Sequence, residues 1–415
     1  MRIKTSSGFE YSYDPIDNSI VDGKDKDLQN FHIRFKPLEE ISNLPNISSF
    51  TIGVTEQCNF RCSYCCYSGL YSEHRKHSAN HLTIEAIPSI VKFMIDVTTS
   101  KNISIDFYGG ESLLEFEWIK QFVSYIDSYK THNWSFELST NGLLLSNDVC
   151  DWLIKHDFKV FVSLDGIGDF HDKCRKDIHR HNTFSAIYDN LSYIKSENEK
   201  FWMNNIHIIM TIQDISKLPE IAEQWENSSL LFNKMPYRIS EVSTIYNDKT
   251  AKIDFSDQVE KYAALVQWYK THPNSLLMKT FFSLWLAEWI NRPIMELDGH
   301  VEYPTCIPQN RKLYIDTNKR IGICERISDS LRIGTIEDGI CFDKVNEIAK
   351  STAAFMAKNC ANCEIARLCD VCPDILKISD NVIDIYCHNQ KMMQRIKFQS
   401  FCELAEADFI QKLWE

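Results

Sequence analysis

The sequence has no uncharged apolar run of about 18 residues, the length a membrane helix needs. Its first residues, MRIKTSSGFEYSYD, hold no apolar core of signal-peptide length. A cytoplasmic protein is therefore expected, with no membrane partner. Positive charge is also in short supply. Lys and Arg total 45 against 57 Asp and Glu, a formal net charge of -12. That balance argues against nucleic acid as a partner, because phosphate binding needs a basic surface. With 44% hydrophobic and 25% charged residues the chain is neither disordered nor fibrous. What it has in excess is cysteine, 15 in 415 residues. A reducing cytosol does not use that many for disulfides, and their clustering points to metal.

A chain of this length suits one domain of about 200 to 250 residues with appendages. Residues 1–50 read as a hairpin and linker, with the alternating FEYSYD followed by turn residues and Pro37 and Pro45. From residue 51 the pattern becomes βα. FTIGVT, ISIDFYG, WSFELST, KVFVSLD and IHIIMTI are strands by β-branched and aromatic content. Between them, residues 83–97, 115–130, 146–156, 183–197 and 216–226 carry apolar residues at helical spacing. Repeated βα units predict an α/β fold with a parallel sheet or barrel, its site at the C-terminal ends of the strands. The chemistry-bearing residues do follow the strands: Cys58, then Gly109-Gly110-Glu111, Asn141-Gly142 and Asp165-Gly166. Residues 256–290 read as two helices, which puts a boundary near residue 295 before a cysteine-rich tail.

Cys58-Asn-Phe-Arg-Cys62-Ser-Tyr-Cys65 spaces three thiols by three and two residues directly after a strand. Three thiolates hold three irons of a 4Fe-4S cluster and leave the fourth open to a small molecule. A zinc site is the alternative, though zinc knuckles are usually paired CxxC units with four ligands. This CxxxCxxC loop resembles that of the radical SAM superfamily, whose fold is a partial (β/α)6 barrel. The resemblance implies that the open iron chelates S-adenosylmethionine (SAM) and that one electron releases a 5'-deoxyadenosyl radical, chemistry that oxygen would quench.

Further matches run through residues 51–215. Gly109-Gly110-Glu111 resembles the family's GGE motif, with Glu111 placed to accept from the methionyl ammonium; Ser112 stands where many relatives have Pro. Tyr64 resembles the residue that lies along the adenine. Ser163 and Arg175 resemble a pair contacting the SAM carboxylate, a role suited to a planar guanidinium fork. Ser139 and Asn141 would face the ribose. Individually, Asn141-Gly142 and Asp165-Gly166 are also ordinary turn dipeptides. Cys66 reads as a packing thiol beside the cluster, since ligation by it would block SAM.

In the tail, Cys306 and Cys324 precede Cys360-Ala-Asn-Cys363, then Cys369-Asp-Val-Cys372, then Cys387. This resembles the SPASM extension of radical SAM peptide maturases, which carries two auxiliary 4Fe-4S clusters; two zinc knuckles are the alternative. The resemblance assigns Cys360, Cys363, Cys369 and Cys387 to the outer cluster and Cys306, Cys324 and Cys372 to the inner one. Two residues separate Cys369 from Cys372 where the family usually has three. His300 stands where some relatives have a further cysteine, so the inner cluster either has an open iron or takes His300 as ligand. Cys150, Cys174, Cys341 and Cys402 fit neither set and read as small apolar residues.

Sulfatase-maturating enzymes, sactipeptide and ranthipeptide thioether synthases and carbon-carbon cross-linking maturases all resemble this architecture. The resemblance implies an oxidoreductase that takes hydrogen from a ribosomal peptide and oxidises it through the auxiliary clusters, three clusters in all. A thioether cross-link is the favoured product, with carbon-carbon cyclisation and formylglycine formation as alternatives. Glu325, next to Cys324, is the candidate base, as in sulfatase-maturating relatives. The expected partners are a precursor peptide, an external electron donor such as flavodoxin or ferredoxin, and a separate leader-recognition protein, because residues 1–50 are short for that task. A cluster-carrying electron-transfer protein is the reading from another class, and a small-molecule radical dehydrogenase is a third. The first has no need of the SAM constellation.

Overall fold

The computed structural model describes every residue except 24–30, 45–46, 70–75, 243–254, 294–299, 302–305, 307–311, 327–328, 370, 375–379 and 414–415. Six parallel strands make the partial barrel: β1 (Ser49–Thr55), β2 (Asn102–Gly109), β3 (Asn133–Thr140), β4 (Lys159–Ser163), β5 (Ile206–Ile212) and β6 (Arg238–Glu241). Helices α1 (Ile87–Val97), α2 (Phe116–Ile126), α3 (Asn147–Lys155), α4 (Phe184–Glu197) and α5 (Leu218–Glu226) return the chain between them. All five strands and five helices read from the sequence are present. The sixth strand, Arg-Ile-Ser-Glu, lacks an apolar run and left no signal of its own.

Alternation along the strands makes one face apolar and the other polar. On β2 the buried Ile103, Ile105 and Phe107 pack outward, and Phe107 meets Phe122 of α2 edge-on at 5.5 Å. The opposite face carries a register row of polar residues, Thr51, Asp106, Glu137 and Lys159, side by side across β1 to β4. The barrel interior is therefore hydrophilic, and the apolar core lies between sheet and helices.

Two helices, α6 (Phe255–Thr271) and α7 (Leu276–Trp285), follow as read from the sequence. The tail then rejoins the barrel. Strand β7 (Lys312–Ile315) pairs in parallel with β1, Lys312 opposite Ser49, and β8 (Arg320–Gly322), β9 (Arg332–Thr335) and β10 (Gly339–Ile340) continue antiparallel. The result is one ten-stranded sheet. It covers the edge of β1, which would otherwise present unpaired backbone groups. Helices α8 (Phe342–Asn359) and α9 (Asp380–Glu406) follow; Cys360, Cys363, Cys369 and Cys372 lie between them and Cys387 on α9.

The first residues are more than a linker. Arg2–Lys4, Glu10–Tyr13 and Ile20–Asp22 form a three-stranded antiparallel sheet. Buried Tyr13 packs on Trp289 and on Phe398 of α9, with ring centroids at 5.1 and 6.2 Å. Among the described residues no helix is long and apolar enough to cross a membrane.

Candidate functional site

The loop after β1 is pinned from two sides. On one side, Gly110 N donates to Thr55 O at 2.9 Å and Glu111 N donates to Gln57 O at 2.8 Å. A Cβ on Gly110 would lie 2.0 Å from Gln57 O, so only glycine lets the two loops meet. On the other side Arg61 N donates to Lys176 O at 2.8 Å and Ser63 N to Cys174 O at 3.0 Å. The Arg61 guanidinium also closes the loop on itself, donating to Cys58 O at 2.8 Å and Phe60 O at 2.7 Å.

This holds Cys58, Cys62 and Cys65 at the wall of a cavity of about 330 Å³, a size usual for ligand pockets. The same wall carries Tyr64, Gly109, Gly110, Ser139, Asn141, Ser163 and Arg175. Burial is the main cause that pushes the Cys58 thiol up to about 12 and the Cys62 thiol to about 11. Thiolates here need a cation beside them, which suits soft metal ligands. Among the described residues no three or more His, Cys, Asp or Glu gather as they would around one metal ion. A cubane carries its irons on separate corners and spreads its thiolates more widely.

Arg175 is buried and donates from Nε to Asp165 Oδ2 at 2.7 Å, while its Nη1 points at Cys62 Sγ 3.8 Å away. Burial works against its charge, but the Asp165 carboxylate outweighs that and holds its pKa above the ordinary value. Tyr64 donates its hydroxyl to the same carboxylate, and its ring lies 5.4 Å from the guanidinium carbon. Asp165 Oδ1 accepts from Thr211 N at 2.9 Å, fixing β4 to β5. Asp165 is thus the hub of this wall, a role hidden behind its turn-like dipeptide.

Glu111 is tied into the barrel framework by its neighbours. It is fully buried and accepts from Leu113 N at 3.1 Å, Thr140 Oγ1 at 2.7 Å and Asn141 N at 2.7 Å. Its carboxylate does not line the cavity; it ties the ends of β2 and β3 together. Burial raises its pKa, against the pull of these donors. Asn141 reaches back to the cysteine loop, donating from Nδ2 to Asn59 Oδ1 at 2.7 Å. Ser112 donates to the Ser139 carbonyl at 2.6 Å, fastening the loop at the position where relatives carry Pro.

The tail reaches this cavity too. Arg326 and Tyr67 line it, and Tyr67 donates to Glu325 O at 3.2 Å. Glu325 sits 3.6 Å from Cys324 Sγ, but its Oε2 is taken by Lys312 at 2.8 Å. Burial works against its charge, yet Lys312 and Arg326 hold its carboxyl below the usual range. That setting disfavours the role of proton acceptor. Burial first, then the Glu325 charge, push Cys324 up to about 12.

The other tail cysteines fall into two groups. Cys360, at the end of α8, lies near Cys363 and Cys387, and burial with these neighbours pushes it to about 12. Cys363 and Cys369 pack on the apolar cluster around Trp289, whereas Cys324 and Cys372 pack on the barrel core. Cys306 is exposed. His300 pairs as backbone with Arg34, and its side chain lies outside the described residues. Cys66 lines the cavity. Cys150 donates to Leu145 O at 3.4 Å and Cys174 to Gln213 Oε1 at 3.0 Å, both buried. Sequence reading missed Arg238 and Arg326, which line the cavity from β6 and from the loop after Cys324.

A parallel partial barrel with three cysteines after its first strand, all facing one cavity, is the arrangement of an iron-sulfur enzyme of the SAM-cleaving class. Comparison with known proteins agrees: residues 52–224 match the Radical SAM superfamily. Residues 52–224 thus form a radical SAM domain, and the cysteine-rich tail that follows resembles the SPASM type. It is 23% identical over 392 residues to a cysteine-type anaerobic sulfatase-maturating enzyme of Clostridium perfringens, covering 87% of this chain and 99% of that one. It is 22% identical over 348 residues to the radical SAM cyclopropyl synthase TigE of Paramaledivibacter caminithermalis, covering 80% and 69%. The fold matches the structure described as native anSMEcpe with bound AdoMet and Cp18Cys peptide, with a TM-score of 0.63 at 19% identity, covering 87% of this chain and 99% of that one.

Proposed function

We propose that this chain removes hydrogen from a residue of a ribosomal peptide and completes a cross-link there, a thioether from a cysteine sulfur to a peptide carbon. The observation that carries the reading is that barrel and tail share one cavity. Cys58, Cys62 and Cys65 stand on its barrel side, and Arg326, two residues after Cys324, stands on its tail side. A carrier of electrons alone has no use for such a cavity. In this reading Cys58, Cys62 and Cys65 hold one 4Fe-4S cluster, and the tail cysteines hold two more. Bound SAM and its cluster would supply the 5'-deoxyadenosyl radical. Tyr64, Gly109, Gly110, Ser139, Asn141, Ser163 and Arg175 bind and orient SAM, and Glu111 braces the loops that carry them. The relative whose structure holds AdoMet and a peptide supports a peptide substrate. The enzyme works in the cytoplasm with a flavodoxin or ferredoxin as donor and a separate protein for leader recognition.

Formylglycine formation is the second reading, favoured by the sulfatase-maturating relatives. Incubating the anaerobically reconstituted chain with SAM, reductant and a cysteine-bearing peptide separates the two by mass spectrometry. A thioether loses two hydrogens and keeps the sulfur; formylglycine replaces the cysteine sulfur by oxygen. Release of deoxyadenosine with every peptide unchanged would remove both.

A further inference from the structure

The cavity carries more positive charge than SAM requires. Arg175 is matched by Asp165 at 2.7 Å. Arg238 and Arg326 are not matched in this way. Arg238 projects from β6, and Ser240 of that strand and Val242 just after it line the same wall. Its side chain has no hydrogen bond or ion pair among the described residues. Arg326 comes from the tail, and its Nε makes only a long ion pair, 3.6 Å, with Glu325 Oε1, while the other oxygen of that carboxylate is hydrogen-bonded to Lys312 at 2.8 Å. The acid of this wall, Glu241, accepts from the Tyr262 hydroxyl at 2.5 Å. Both guanidiniums line the same cavity, Arg238 from the barrel and Arg326 from the tail. In a chain of net charge -12, a cavity lined by a surplus of arginine is a local reversal of sign that draws in anions.

We propose that Arg238 and Arg326 together form a carboxylate-binding site on the tail side of the cavity, which takes an acidic group of the substrate. The inference rests on the peptide reading above. Two like charges on one cavity are stabilised by an anion between them, and guanidinium forks bind carboxylates with two parallel hydrogen bonds. Because one arginine belongs to the barrel and the other to the tail, a carboxylate there would set the substrate between the candidate SAM site and Cys324. The source is a Glu or Asp side chain or the free end of a peptide.

The test is equilibrium binding to the SAM-loaded full chain. The probes are acetyl-Gly-Cys-Gly-Glu-Gly-amide, its Gln counterpart as amide, the Gln peptide with a free C-terminus, and glutarate. The Glu peptide should bind at least about ten-fold more tightly than the Gln amide, the lower end for a charged hydrogen bond. Preference for the free-ended Gln peptide instead would assign the site to a C-terminal carboxylate. Arg238→Gln and Arg326→Gln should each abolish the preference, and Arg238→Lys should restore part of it. SAM affinity should stay within about two-fold in all three variants, the scatter below one such bond. Equal binding of Glu and Gln peptides, no binding at all, or a preference surviving both Gln variants would overturn the site. Weakened SAM binding in the variants would assign these arginines to the cofactor. Glutarate binding as tightly as the Glu peptide, lost in the same variants, would keep the anion site and remove the peptide reading.

Discussion

Arg175 and Asp165 form a buried ion pair at 2.7 Å that joins the end of β4 to the cysteine loop, because the same guanidinium faces Cys62 and the same carboxylate holds Tyr64. At the proposed SAM site, the pair would tie recognition of the cofactor to the integrity of the wall. Arg175→Ala should weaken SAM binding by about 1.5–3 kcal/mol, the range for a hydrogen bond to a charged group. Asp165→Asn leaves Arg175 buried without its counter-charge, and breaking such a pair costs about 3–5 kcal/mol. Calorimetric SAM titration and denaturant melts of both variants provide the check. Wild-type SAM affinity in Arg175→Ala would reduce the arginine to a structural ion.

Gly110 should be intolerant for a backbone reason. A Cβ there meets Gln57 O at 2.0 Å, and a carbonyl on a pinned loop cannot swing aside as a side chain does. Gly110→Ala should displace the loop carrying Cys58 while sparing the tail. Iron and sulfide analysis should then show loss of one of the three proposed clusters, with loss of SAM cleavage. Full loading would mean that the loop has another support.

The barrel interior sets a pH dependence. Burial pushes Asp106 to about 7 despite Lys312 nearby, and its Oδ1 has no hydrogen-bond partner. A carboxyl whose folded pKa lies above its unfolded value, near 3.9, binds a proton more tightly when folded. Its contribution is whole below about pH 4 and is lost as pH rises to about 7. Asp106→Asn should therefore stabilise the protein above pH 7 by on the order of 2–4 kcal/mol and flatten stability between those limits. Denaturant midpoints measured across pH 4 to 8 would show it, and an unchanged slope would place the titration elsewhere.

The sequence made the first five strands legible because their β-branched and aromatic runs are local, and it made the cysteine loop legible because its spacing is local. The rest depends on contacts between distant segments. Strand β6 has only Arg238–Glu241 and no apolar run, so nothing marked it as the sixth stave. The pairing of Lys312–Ile315 with β1 is set by tertiary fit across more than 250 residues, a distance over which pattern carries no information. Glu111 shows the same limit at the site. Its motif implies a SAM contact but gives no sign of the three donors, from its own turn and from the end of β3, that its carboxylate accepts. The Lys312 partner of Glu325 was hidden in the same way.

That last relationship decides the remaining prediction, which concerns how the tail takes part in turnover. Cys324→Ala should still release deoxyadenosine at the first cluster but yield no modified peptide, since the proposed route for the substrate's electron passes through the inner tail cluster. A two-hydrogen loss persisting in that variant would refute the route. For Glu325, two roles predict different patterns. A general base contributes about 10²–10⁴-fold, and its loss would be confined to Glu325→Gln. A carboxylate held below its usual pKa by Lys312 is instead an anchor for that lysine and for the loop bearing Arg326. On that reading Glu325→Gln and Lys312→Met break the same contact and should slow product formation by similar factors, below about 10², with all clusters retained. Product mass and rate, measured beside iron content in both variants, settle the choice: a large loss in Glu325→Gln with Lys312→Met near wild type would restore the base.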